Sequence, residues 1–164
     1  MKSPLNIRLI KPSDDPVIAN IIRTVMPEFG AVGPGYAIND PEVDTMWSAY
    51  HSARARYYVV EFEDRVEGGG GIAPLRGGDA DICEIQKMYF MPALRGKGAG
   101  EKLMDLLLEE AKDIGFARVY LETMDGMTAA RRLYEKKGFV QLDEPLGATG
   151  HGGCDIWYLK SLRD

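Results

Sequence analysis

Changes in the period of hydrophobic and polar positions mark out the elements of this chain. Leu5 to Ile10 alternates and predicts a first strand. Asp15-Pro16 reads as an N-cap with Pro at the first helical position. Val17, Ile18, Ile21, Ile22, Val25 and Met26 then keep the helical period until Pro27 and Gly30 end it. Asp40-Pro41 repeats that start, with Val43, Met46, Trp47 and Tyr50 on one face of a second helix. Arg56 to Phe62 is rich in β-formers, Glu63-Asp64 makes a tight turn, and Val66 to Leu75 is its hairpin partner. Four glycines weaken that partner, so it reads either as a strand with room for a substrate beside it or as a flexible loop. Asp79 to Met91 is a central strand. Strict alternation places Glu84, Gln86 and Met88 on one face and Cys83, Lys87 and Tyr89 on the other, unless a bulge changes the parity. Gly98 to Ile114 is a helix with a Leu103, Leu107, Ala111, Ile114 stripe, and Gly115 stops it. A strand at Ala117 to Thr123 leads to a helix at Thr128 to Lys137, closed by Gly138-Phe139 as a Schellman ending. Short strands at Val140 to Leu142 and Cys154 to Lys160 flank a loop at Asp143 to Gly153. The order predicts an α/β chain, antiparallel in its first half, with one parallel crossover.

The 164 residues are enough for one domain with a real core, taken as 1–164. Apolar residues make up 45% and charged residues 27%, a globular balance. A net charge of −5 argues against a broad nucleic-acid footprint and suits cationic substrates. The N-terminal stretch has no apolar signal-peptide core, and no apolar run is long enough to span a bilayer. The expected setting is cytoplasmic, with Cys83 and Cys154 as reduced thiols. Two Cys and two His without ligand spacing predict no metal site.

The chemistry concentrates at Arg95-Gly96-Lys97-Gly98-Ala99-Gly100-Glu101, between the central strand and a helix start. Glycines let backbone approach a ligand closely, and N–H groups at a helix start favour an anion. A P-loop is excluded because no Gly-Lys-Ser/Thr occurs. A dinucleotide fingerprint is excluded because Glu101 stands where its last Gly belongs. What remains is R-x-x-G-x-G at Arg95, Gly98 and Gly100, after a strand and Pro92. About 30 residues on, with a strand between, comes A-x-x-L-Y-E-x-x-G-F from Ala130 to Phe139. The pair resembles the two signatures of the GCN5-related N-acetyltransferases (GNAT), and the resemblance runs from about residue 5 to 160.

That resemblance implies a mixed, twisted sheet of about seven strands with flanking helices, in which two parallel strands splay apart. Acetyl-CoA enters the gap. The diphosphate sits on the amides of Gly96 to Glu101, and the pantetheine arm pairs with the main chain of Met88, Tyr89 and Phe90. The reaction is acetyl transfer to a primary amine, of a small molecule in the first reading. The alternatives are a lysine or N-terminus of a protein, or a non-catalytic acyl-CoA-binding module. A lysine-like amine must lose a proton first, which costs about 4.6 kcal/mol at pH 7. Glu84 and Glu122 occupy positions where family members carry a base, and each also reads as a plain strand carboxylate. Tyr134 matches the family's general-acid tyrosine. Full proton transfer from a phenol to a thiolate is uphill by about 2 kcal/mol, so hydrogen bonding to the departing sulfur is the safer description. Met127 replaces an Asn found in many members, which removes one polar cofactor contact. Tyr36 and Trp47 are candidates for the acceptor wall, against loop-surface and core-packing roles. His151 and Cys154 lie in a loop that the resemblance brings near the acceptor opening, where His151 could bind substrate or act as base and Cys154 could face the thioester, against a plain loop His and a half-buried Cys. Homodimers are common in the family.

Overall fold

The computed structural model describes residues 4–163, and residues 1–3 of the stretch read for a signal peptide lie outside them. Seven strands form one sheet in the order β1-β2-β3-β4-β5-β7-β6. They are β1 (Leu5–Leu9), β2 (Arg56–Phe62), β3 (Arg65–Pro74), β4 (Ile82–Phe90), β5 (Arg118–Thr123), β6 (Val140–Leu142) and β7 (Ile156–Ser161). Every neighbouring pair is antiparallel except β4 and β5. Four α-helices flank the sheet: α1 (Asp15–Glu28), α2 (Met46–Ala49), α3 (Ala99–Ile114) and α4 (Thr128–Lys136). Among the described residues no helix is long and apolar enough to cross a membrane.

The sheet is covered on both faces. The apolar stripe of α3, with Leu103, Met104, Leu107 and Ala111 fully buried, packs with Val60, Ile72 and Val119. On the other face α1 places Ile18, Ile22 and Val25 against Val43, Met46 and Val59. The predicted endings hold. Gly98 and Gly115 bracket α3 at φ 78° and 109°. Gly138 donates to the Glu135 carbonyl and Phe139 to that of Tyr134, which is the Schellman pattern, with the Tyr134 and Phe139 rings 6.0 Å apart. Glu63 and Asp64 both take positive φ, as a two-residue hairpin turn requires.

Three expectations need correction. The second helix is broken: a 3-10 turn at Pro41–Asp44 precedes the single α-turn Met46–Ala49. Asp14, not Asp15, caps α1; the Asp15 carboxylate takes the Trp47 N–H at 2.8 Å instead. The glycine strand leaves no room for a substrate. A Cβ at Gly69 or Gly71 would lie 2.7 or 2.6 Å from the Tyr57 ring, and one at Gly68 or Gly70 would strike Phe90 or Met88. Gly71→Ala would also press on the Arg56 carbonyl at 2.5 Å, which is backbone and cannot yield. That substitution is expected to destabilise the fold by about 1–3 kcal/mol, read from denaturant unfolding.

Strict alternation in β4 also fails, because the strand bulges. The β3–β4 register steps from Gly71↔Gln86 to Gly69↔Tyr89, two residues on β3 against three on β4. Lys87 takes φ 51° to absorb the extra residue. Tyr57, lying across the glycines, donates its hydroxyl to the Lys87 carbonyl at 2.7 Å and holds the bulge. Gln86 and Lys87 therefore both point to the Glu84 side. Beyond them Tyr89 joins the α1 face and Met88 the α3 face.

Candidate active site

The sheet opens where the two parallel strands part. β4 and β5 pair at only three positions, Ile82↔Arg118, Cys83↔Val119 and Glu84↔Tyr120. Past Glu84 they diverge, while β3 still follows β4 to Phe90 and β7 follows β5 to Thr123. The result is a V-shaped gap with one unpaired strand edge on each side.

A groove of about 300 Å³ runs from the gap to the start of α3. Met88, Tyr89 and Phe90 line one wall, and Met127, Ala130, Leu133 and Tyr134 the other. Gly96, Gly98, Ala99 and Gly100 close the outer end. Gly96 and Gly98 hold φ 77° and 78°, and a Cβ at either would meet nothing within 4 Å. The turn therefore presents bare backbone to open space at a helix start, as an anion seat requires. Met127 lies where expected and is apolar towards the groove; its sulfur accepts the Thr123 hydroxyl at 3.4 Å.

Three motif side chains have local partners. Arg95 pairs with Glu28 at 2.8 Å and donates to the Phe90 carbonyl at 3.0 Å, so it spans the groove from β4 to α1. Lys97 places its ammonium 5.0 Å over the Phe62 ring. Glu101 takes Lys136 and Lys137 at 3.1 and 3.0 Å, tying α3 to α4.

Behind the groove lies a smaller chamber, lined by Glu84, Glu122, His151, Cys154, Tyr36 and Tyr134 among others. Tyr134 belongs to both spaces. It is 6% exposed, and its hydroxyl bonds to no described residue. Burial pushes the phenol above its ordinary value, so it keeps its proton.

Glu84, Glu122 and His151 each bring a ligand-type atom within 4.8 Å of the others. They differ in their neighbours. Glu122 accepts Tyr120 and Thr149 hydroxyls, both at 2.6 Å. Glu84 accepts the Gln86 amide at 2.6 Å and no other donor among the described residues, and Gln86 in turn accepts the Tyr50 hydroxyl. Burial pushes the Glu84 carboxyl up to about 7; the Gln86 bond opposes this and the charge of Glu122 adds to it. His151 shares Nε2 with the Asp40 carboxylate at 2.9 Å, with Nδ1 3.9 Å from Glu122. The Asp40 bond raises its pKa against the effect of burial. Burial opposes ionisation of Asp40 too, but His151 and Lys87 outweigh it and hold that carboxyl low. Lys87, buried, reaches Asp40 at 3.1 Å and Glu42 at 3.0 Å. Burial pushes the Cys154 thiol up to about 12, which makes it a poor nucleophile.

Tyr36 lines the chamber and packs on Gly153, whereas Trp47 lines neither space and stacks on His51 with ring centroids 4.3 Å apart. Sequence reasoning missed Asp40, Tyr50, Gln86, Lys87 and Thr149. Asp40 was read as a cap, Tyr50 as a helix-face residue, and Gln86 and Lys87 only by strand parity.

Known proteins share the parting parallel pair and the glycine turn, and the comparisons with them make this chain an acyltransferase drawing its acyl group from acetyl-CoA. The family model for the acetyltransferase (GNAT) family matches residues 19–139, and the chain belongs to that family. The Escherichia coli strain K12 protein YjgM, an uncharacterized N-acetyltransferase, is 46% identical over 162 residues, covering 98% of this chain and 96% of YjgM. The IAA acetyltransferase of Azospirillum brasilense is 32% identical over 110 residues, 65% of this chain and 68% of that protein. Among solved structures, YncA of Salmonella typhimurium with its cofactor acetyl-CoA superposes with a TM-score of 0.80 at 21% identity, over 99% of this chain and 96% of that one. That likeness is one of fold.

Proposed function

We propose that this enzyme moves the acetyl group of acetyl-CoA to the primary amine of a small molecule, by direct attack in a ternary complex. One observation carries the reading: the unbonded Tyr134 hydroxyl stands at the shared wall of the cofactor groove and a chamber that holds Glu84. The thioester would end there. Glu84, titrating near 7, takes the proton of the incoming ammonium through a water. The amine nitrogen then bonds to the carbonyl carbon, and the carbon–sulfur bond breaks. Tyr134 donates its O–H to the sulfur as charge develops on it. Glu122, already accepting two hydroxyls, and His151, bonded to Asp40, supply field and position.

The chamber favours a small acceptor over a protein chain because two loops meet over it. The Gly153 N–H donates to the Gly35 carbonyl at 2.9 Å, and the His151–Asp40 pair makes a second crossing. A peptide needs an open channel through that seam.

The test is thermal shift with CoA, acetyl-CoA and ATP, followed by thiol release against a panel of small amines and peptides. Stabilisation by CoA and acetyl-CoA but not ATP, with release on small amines, is the expected result. Release on peptides alone would overturn the small-molecule reading, and stabilisation by ATP alone would overturn the whole.

A further inference from the structure

The chamber continues past Glu84 into a second space of about 220 Å³. Glu84, Gln86, Lys87 and His151 line both, so the two are one acceptor site with an inner and an outer part. The outer part is too small for a drug-sized ligand, which needs roughly 300 Å³ or more, and suits the body of a short molecule.

Its cationic groups are matched by carboxylates with one exception. Lys87 is held by Asp40 and Glu42, and His151 by Asp40, so those acids and bases neutralise one another. Arg76, which lines the outer part and not the inner, makes no side-chain hydrogen bond or ion pair with any described residue. Its main chain is fixed, because the Ala148 N–H donates to the Arg76 carbonyl at 2.7 Å and Gly77 turns directly after it at φ 73°. An exposed guanidinium without a carboxylate, on a fixed main chain at the part of the site that Glu122 does not reach, is a planar fork for an anion.

Resting on the acetyl-transfer reading above, we propose that the acceptor is a short amino-carboxylate: its ammonium turns inward to Glu84 and Glu122, and its carboxylate is received by Arg76. The polarity follows from the residues, because Glu122 lines only the inner part, beside Glu84, and the unpaired Arg76 lines only the outer part. A simple amine would leave Arg76 unused, and a diamine would place a second cation beside it.

The experiment compares the standard α-amino acids with the same amines lacking the carboxylate, by thiol release and by binding to the CoA-loaded enzyme. Amino acids are expected to show a KM at least about fivefold lower than their matched amines, the worth of a half-exposed charge pair. Arg76→Met should erase that difference by raising KM for the amino acid alone, with kcat kept, and Arg76→Lys should restore part of it. Matched amines that serve equally well, or a variant that weakens both classes alike, would overturn the assignment while leaving acetyl transfer intact. Amino acids that neither turn over nor bind would also overturn it. Loss of acetyl-CoA binding in the unaltered protein would instead strike the reading on which it rests.

Discussion

Tyr134→Phe is expected to lower kcat at least tenfold and to leave acetyl-CoA affinity within about twofold. The structure makes this a clean substitution. The hydroxyl bonds to no described residue, so its removal strands no buried partner. The ring keeps its edge contact with Phe139 and its tilted contact with Tyr158, at 6.0 and 5.8 Å. Helix α4 keeps its ending, because the Schellman bonds use the Tyr134 carbonyl and not the side chain. The melting temperature should therefore stay where it is. Cofactor affinity should stay too, since the groove is formed by backbone at Gly96 to Gly100 and by apolar side chains. Only the donor to the departing sulfur is lost. Steady-state kinetics, calorimetry with CoA and a melting curve on one preparation separate these effects. Unchanged turnover would remove Tyr134 from the reaction.

The glycine turn and helix endings that form the groove were legible in the sequence because their signals are local. Gly98 must start a helix at positive φ, Gly138 must end one, and Phe139 must fold back on Tyr134; each is written within six residues. The acceptor half was not. Asp40, Tyr50, Gln86, Lys87 and Thr149 come from four separate segments and meet only when the sheet is built. Their types gave no hint, since a charged residue in a loop is ordinarily a solvated one.

The bulge at Lys87 was the least legible feature and has the widest consequences. No glycine or proline marks it, and a lysine at φ 51° is an uncommon choice. Its support lies elsewhere in the chain. The glycines of β3 admit Tyr57, and Tyr57 holds the Lys87 carbonyl. The run that reads as a weak strand is thus the clearance for the ring that fixes the bulge. The bulge in turn brings Gln86 and Lys87 to the same side as Glu84, and β4 leaves β5 immediately past Glu84. Parity counting could not find this, because the cause lies two strands away.

Glu84→Gln tests the base directly and carries the largest expected effect, a fall of about 10²–10³ in kcat/KM. The mechanism needs the carboxylate form. With a pKa pushed up to about 7, kcat/KM of the unaltered enzyme should drop tenfold per pH unit below that value and level off above it. The variant should lose this limb along with the rate. Stability should move the other way. A carboxyl whose folded pKa lies above its ordinary value of 4.5 contributes fully below that value, and its contribution fades as pH rises through 7. Gln cannot ionise, and its carbonyl can still accept the Gln86 amide. The variant should therefore gain on the parent enzyme as pH rises from 4.5 to about 7, by up to about 3 kcal/mol, and hold that gain above it. A poorer catalyst that is the more stable protein at pH 8 is the joint signature of a buried base. Equal stability of the two proteins at pH 5 and pH 8, or a limb near 7 that survives in the variant, would assign the proton to another group, with Glu122 the first to examine.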